Sequence, residues 1–356
     1  LTDANAVELA DVDAFGNLSI DAAEVLFAGA VTVAGDATVI ASGGAIGDST
    51  PATLSIDGQS SFTAFTEIQI DGSGHQFGTL NLVAENAVLV EDADMDVGLV
   101  DVTGSVMLTS TGAINDSDGD NVVDVQANWV DLHASDGIGT ARALELAGVK
   151  ISADTDTGGI ALFNESVSDT EVASLKTSDG PILFQHSGGG DVTFSGFVAN
   201  GDPQVGQSIQ LTASEGLTIS GTVSSAAGSG GTLQVSGATI HGSVAVGAGN
   251  VVIQGGSLDL IVGADISADN DVTLSAERDV IVSAIVDANV GGSITVVADA
   301  NLGADAASGG HGGVLIEAAG QLRAEGDVSV SGSSLFSPLG TGETVVVQAN
   351  GADPQV

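Results

Sequence analysis

Apolar and polar residues alternate along this chain in short bursts. Leu18-Ser19-Ile20, Val31-Thr32-Val33 and Thr38-Val39-Ile40 each alternate in this way, and Gly, Asp, Asn or Ala separates one burst from the next. Brief runs of period two predict short strands with one buried face. No stretch sustains the 3.6-residue apolar period of a helix between two caps. The nearest, Thr140 to Val149, is short and carries Gly148.

A longer rhythm lies over the bursts. Gly112-Ala113-Ile114, Gly137-Ile138, Gly159-Ile160 and Pro181-Ile182 form a ladder whose isoleucines are 24, 22 and 22 residues apart. Turn residues followed by β-formers at a constant interval predict a solenoid. Ile46, Ile114 and Ile182 are 68 residues apart twice, and Gly190-Asp191-Val192 returns as Gly326-Asp327-Val328 after 136 residues, which together predict a block of three coils. The expected fold is all-β, a right-handed parallel β-helix of roughly 16 coils of about 22 residues, with each strand pairing with its counterpart one coil on. It would run as one continuous rod over 1–356. A string of β-sandwiches would repeat at ~90 to 100 residues around a core aromatic; the short interval and the single Trp129 speak against it. Two breaks in the rhythm predict loops. An acidic insertion is expected at 116–136. The phrase at Ala199 to Val205 recurs at Ala349 to Val356 after 150 residues instead of 136, which places a protruding loop at 333–342 around Pro338.

Composition changes this picture in two ways. Of 356 residues 43% are apolar, yet 47 acidic residues stand against 5 basic ones for a formal charge of −42. High charge alone would favour disorder, but this much aliphatic surface offsets the chain entropy, so the chain should fold. Aromatics are only 3% while Gly reaches 51 residues, which fits a narrow aliphatic interior between tight turns. Cys is absent, so the coils must hold by stacking without disulfides. The acidic surface repels phosphate backbones and anionic headgroups, which excludes nucleic acid as an expected partner and makes cations the natural small ligands. No apolar run approaches the ~18 to 20 residues of a membrane span. The chain opens Leu1-Thr2-Asp3 without initiator Met or signal peptide, and reads as a piece of a longer chain.

The densest candidate chemistry is Asp116-Ser117-Asp118-Gly119-Asp120-Asn121-Val122-Val123-Asp124. Alternate carboxylates in a glycine-containing loop can converge on a hard cation, which makes Asp116, Asp118, Asp120 and Asp124 candidate Ca2+ ligands. The other reading is a solvated acidic turn between coils. Asp92, Asp94 and Asp96 alternate and would share one strand face. Asp271 and Asp279 precede strands, where their side chains can accept backbone N–H bonds in the turn. Catalytic patterns are poor. Arg142, Lys150, Lys176, Arg278 and Arg323 are scattered, and His75, His133, His186, His241 and His311 lack ligand spacing. No Ser-centred elbow is visible. Abundant carboxylates leave a polysaccharide-binding or polysaccharide-degrading β-helix as the alternative function. Thr does not recur at one position of every coil, as an ice-binding face would need.

The coil pattern resembles the haemagglutinin-type β-helix repeats of filamentous haemagglutinins and giant bacterial adhesins. The likeness rests on Ser110-Thr111-Gly112-Ala113-Ile114, Asp136-Gly137-Ile138-Gly139-Thr140 with Leu144-Glu145-Leu146, Thr155-Asp156-Thr157-Gly158-Gly159-Ile160-Ala161-Leu162, and Gly291-Gly292-Ser293-Ile294-Thr295-Val296-Val297-Ala298-Asp299. The calcium-binding nonapeptide repeat is not reproduced at Gly188-Gly189-Gly190-Asp191. The resemblance implies an extracellular or bacterial cell-surface protein and carries no catalytic residue across. The expected function is a structural rod segment of a large secreted or surface protein, an adhesin, filament or matrix component without enzymatic activity. Its expected partners are copies of itself, other surface components or glycans.

Overall fold

The computed structural model describes residues 1–49, 51–201, 208–225, 232–240, 244–246, 249–255, 259–298, 313–332, 334–336 and 346–349. Among them every regular element is a strand, and every strand pairing is parallel. The chain is a parallel β-solenoid of about 13 turns with about 21-residue spacing, fewer turns than the roughly 16 expected, because some steps take up longer stretches, as from Val286 to Leu322. It divides into two compact units, Leu1–Val167 and Ser168–Val356.

In the first unit one interior column climbs through Val7, Val25, Ile46, Ile68, Ala87, Val106, Val130 and Ile151, each the register partner of the next. A second runs through Ile20, Val39, Phe62, Leu82, Val100, Val125 and Leu146. The alternation read from the sequence sets which side chains enter. Ala37–Ala41, for example, buries Ala37, Val39 and Ala41 and turns Thr38 outward. Burying one such Val, Ile or Leu contributes about 1.5 to 3 kcal/mol. Where the interior widens, Phe27, Phe62 and Phe77 meet edge to face at 6.4 and 5.8 Å. The second unit builds the same kind of column through Ile182, Ile209, Leu233, Val251, Val272, Ile294 and Val328.

The isoleucine ladder is an interior stack from Ile114 to Ile160: Ile114 bridges Ile138, and Ile138 bridges Ile160, all almost fully buried. The 68-residue block is not a stacking unit. Ile46 stacks on Val25 and Ile68, whereas Ile114 stacks on Met95 and Ile138, a different column. Val192 and Val328, which the 136-residue offset equates, also belong to different columns: Val192 pairs with Leu217 and Val328 with Ile294. Turns on different faces of a coil need the same Gly, Asp and aliphatic sequence, so the phrase recurs without marking the same face.

The loops also fall differently. The acidic loop is confined to 117–124, because Val125, Ala127, Val130 and Leu132 point inward and make Val125–Ala134 a strand. Residues 333 and 337–342 of the expected protruding loop lie outside the described residues, and Ser334–Phe336 is a strand paired with Gly313–Ile316. Among the described residues the longest step between register partners runs from Val286 to Leu322.

Corner polar groups bond from turn to turn. Asn17 Oδ1 accepts the Asp36 amide at 3.0 Å, and Asp36 Oδ1 accepts the Gln59 amide at 3.0 Å. Asn250 accepts from Asp271, and Asp271 from Ser293, in the same manner. Asp271 and Asp279 therefore reach the next turn, Asp279 accepting from Gly313 at 2.8 Å. The residue just before the bonded amide is often glycine. Ala113 N–H reaches Asp94 Oδ1, and a Cβ on Gly112 would collide with that oxygen; a Cβ on Gly98 would lie 2.8 Å from Asn81 Oδ1, which accepts from Leu99.

These bonds predict a graded response at Asp36. Asp36→Ala leaves the Gln59 amide without its acceptor and should cost about 1 kcal/mol, whereas Asp36→Asn keeps an Oδ1 and should stay within about 0.5 kcal/mol of the parent. Urea unfolding midpoints of the two variants measure the difference.

Candidate functional site

The loop after Ile114–Asp116 is shaped by its own aspartates. Asp116 Oδ1 accepts the Asp118 amide at 2.8 Å, Asp118 Oδ1 the Asp120 amide at 3.2 Å, and Asp120 Oδ1 the Val122 amide at 2.8 Å. These are consecutive side-chain turns two residues wide. Gly119 and Asn121 take positive φ, 72° and 61°, to let the chain reverse. The Asp-x-Asp-x-Asp spacing thus has a local backbone cause.

Of the four aspartates expected to converge, the structure brings together two. Asp118 and Asp120 are exposed at the loop tip, while Asp116 is 2% and Asp124 4% exposed. Glu145, 5% exposed, completes the cluster: one carboxylate oxygen from each of Asp116, Asp124 and Glu145 lies within 4.8 Å of the others. The fold accounts for the convergence. Asp124 stands one turn before Glu145, donates its backbone N–H to the Glu145 carbonyl at 2.9 Å, and accepts the Glu145 amide on Oδ2 at 2.9 Å. Asp116 closes the preceding strand, where it is the register partner of Val97. In the sequence Glu145 reads as one polar residue inside Leu144-Glu145-Leu146, and only its offset of 21 residues from Asp124, one turn, marks it as a neighbour.

Electrostatics at the cluster are unfavourable for three ionised acids. Burial pushes the Asp124 carboxyl up to about 8, and the neighbouring Glu145 and Asp116 charges reinforce the shift. Glu145 is raised as well, by burial first. Asp116 Oδ2 and Glu145 Oε2 are buried without a hydrogen-bond partner. Arg142 comes near, but donates through Nη1 to the Asp116 carbonyl at 3.2 Å.

A fourth buried acid, Glu91, closes the strand Asn86–Glu91. Glu91 Oε1 accepts the Phe77 amide at 2.7 Å, Oε2 has no partner, and the side chain is wholly buried. Burial raises its carboxyl to about 8, with Asp96 and Asp94 adding to the effect. Asp92 and Asp94 do not share a strand face with Asp96. They lie in the turn before Met95–Val102 and accept the Gly74 and Ala113 amides.

The fold defines the class: a parallel β-solenoid repeat protein with an enclosed acidic cluster. Residues 1–47 and 16–84 match the family described as repeats of unknown function (DUF5649). No curated protein and no solved structure matches the chain.

Glu91 gives the fold a measurable pH dependence. The folded chain holds this proton more tightly than the unfolded chain, whose value is 4.5, so the associated stability is full below about 4.5 and is lost as pH rises through about 8. Glu91→Gln should be more stable than the parent at pH 9, by on the order of a few kcal/mol, and should differ less from it at pH 5. Urea midpoints at both pH values decide this; an equal difference at the two would mean that Glu91 does not titrate in this range.

Proposed function

We propose that the chain is a structural, non-catalytic segment of a large secreted or cell-surface protein, serving as a spacer, filament or matrix element. The observation that carries this reading is where the polar chemistry goes. Corner Asp and Asn side chains accept the amides of the following turn, as Asn17, Asp36, Asp94 and Asp271 do. Such bonds tie each turn to the next. The buried acids support the same reading, because a glycosidase pair must face its substrate, and Asp116, Asp124 and Glu145 are at most 5% exposed. The likeness to adhesin-type β-helix repeats at Ser110 to Ile114 and Gly291 to Asp299 adds an extracellular or bacterial cell-surface setting. Copies of the chain, other matrix components and glycans are its proposed partners. The formal charge of −42 keeps such a surface soluble and free of nonspecific contact with nucleic acid.

Two measurements test the proposal. Antibody raised against the chain should label intact producing cells or their medium; labelling only after permeabilisation would overturn the surface assignment. Incubation with acidic and neutral polysaccharides should release neither reducing ends nor unsaturated sugars, and release of either would replace the structural reading with an enzymatic one.

A further inference from the structure

We propose that Asp116, Asp124 and Glu145 bind one hard divalent cation, Ca2+ foremost, which ties the 117–124 loop to the turn that follows it. The three carboxylates offer oxygens within 4.8 Å of one another. Oxygens bound to one Ca2+ at about 2.4 Å cannot be farther apart than about 4.8 Å, so the cluster lies within the limit that one coordination sphere sets.

A second observation is independent of that convergence. Asp116 Oδ2 and Glu145 Oε2 are buried and accept no hydrogen bond. Leaving a carboxylate oxygen dry and unpartnered is costly, and a cation or a partner's N–H would relieve it. Among the described residues no Lys, Arg or His forms an ion pair with any of the three, and Arg142 is directed to the Asp116 carbonyl. The donor set is all oxygen and anionic, which suits Ca2+; Mg2+ prefers to keep several waters that an enclosed cluster would exclude. Asp118 and Asp120 are exposed turn formers and contribute no ligand. Their side chains accept the Asp120 and Val122 amides and so shape the loop that carries Asp116 and Asp124.

The experiment is calorimetric titration of the chelator-treated chain with CaCl2, paired with thermal melts. The parent and the Asp118→Asn/Asp120→Asn double variant should each bind one ion and melt higher with it. Glu145→Gln should bind about tenfold more weakly or worse, while melting without Ca2+ at or above the parent temperature, because it removes a buried like charge. Should Glu145→Gln melt early, Asp116→Asn serves the same purpose from the other strand. Absence of saturable one-to-one binding up to millimolar Ca2+ would overturn the proposal, as would parent-like affinity in the two ligand variants. Loss of binding in the double variant alone would also overturn it, by moving the ion to the exposed loop tip. Crystals soaked in Mn2+ should show an anomalous peak between the three carboxylates.

Discussion

A corner of a parallel solenoid presents backbone amides that no strand ladder takes up, and here an Asp or Asn oxygen from the preceding turn accepts them. That single contact explains two features of composition together. The side chain must be short and must end in an oxygen, which selects Asp and Asn. The oxygen passes so close to the backbone above that the residue before the bonded amide has no room for a Cβ, which selects glycine, as at Gly112 over Asp94 and Gly98 over Asn81. Acid and glycine are thus coupled across one turn in space, although about 20 residues part them in sequence.

The interior obeys the same stacking rule with the opposite chemistry. Parallel register sets each side chain over its counterpart, so a column such as Ile46, Ile68, Ala87, Val106 works only with residues that tolerate like neighbours. Aliphatics do so at no electrostatic cost. Rings fit where strands of one turn bring them edge to face, as Phe184 and Phe194 do at 5.4 Å. An ionised acid cannot join such a stack without help, and this is why burial raises Glu91, Asp124 and Glu145 in the same direction.

The sequence carries the local part of this structure well. Strand positions, the all-β class and the ladder from Ile114 to Ile160 follow from period two and a constant interval, because each depends on neighbours in the chain or on one turn of separation. The three-coil block misleads for a physical reason. Every corner requires the same residues, so Gly-Ala-Ile at 46 and at 114 look equivalent while occupying different columns. The acidic motif misleads similarly: alternation at Asp116, Asp118 and Asp120 looks like a ligand pattern, but each side chain accepts the amide two residues on. Which carboxylates meet depends on how residues one turn apart are placed, and Glu145 becomes visible only when positions 21 apart are compared.

Seen in this way the buried cluster is a corner contact carried inward. Asp124 accepts the Glu145 amide at 2.9 Å, the same bond that Asp36 makes to Gln59 at 3.0 Å. At Asp36 the corner is exposed, water screens the charge, and the turn above supplies a neutral residue. At Asp124 the residue above is itself an acid, and the 117–124 loop brings Asp116 alongside while keeping solvent out. Coulomb repulsion that costs little at the surface grows as the local dielectric falls, so the structural contact here demands a positive charge or protons that the exposed corners do without. An acid on a wet corner is held at little cost; where three meet in an enclosed cluster, the charge of this chain becomes specific chemistry.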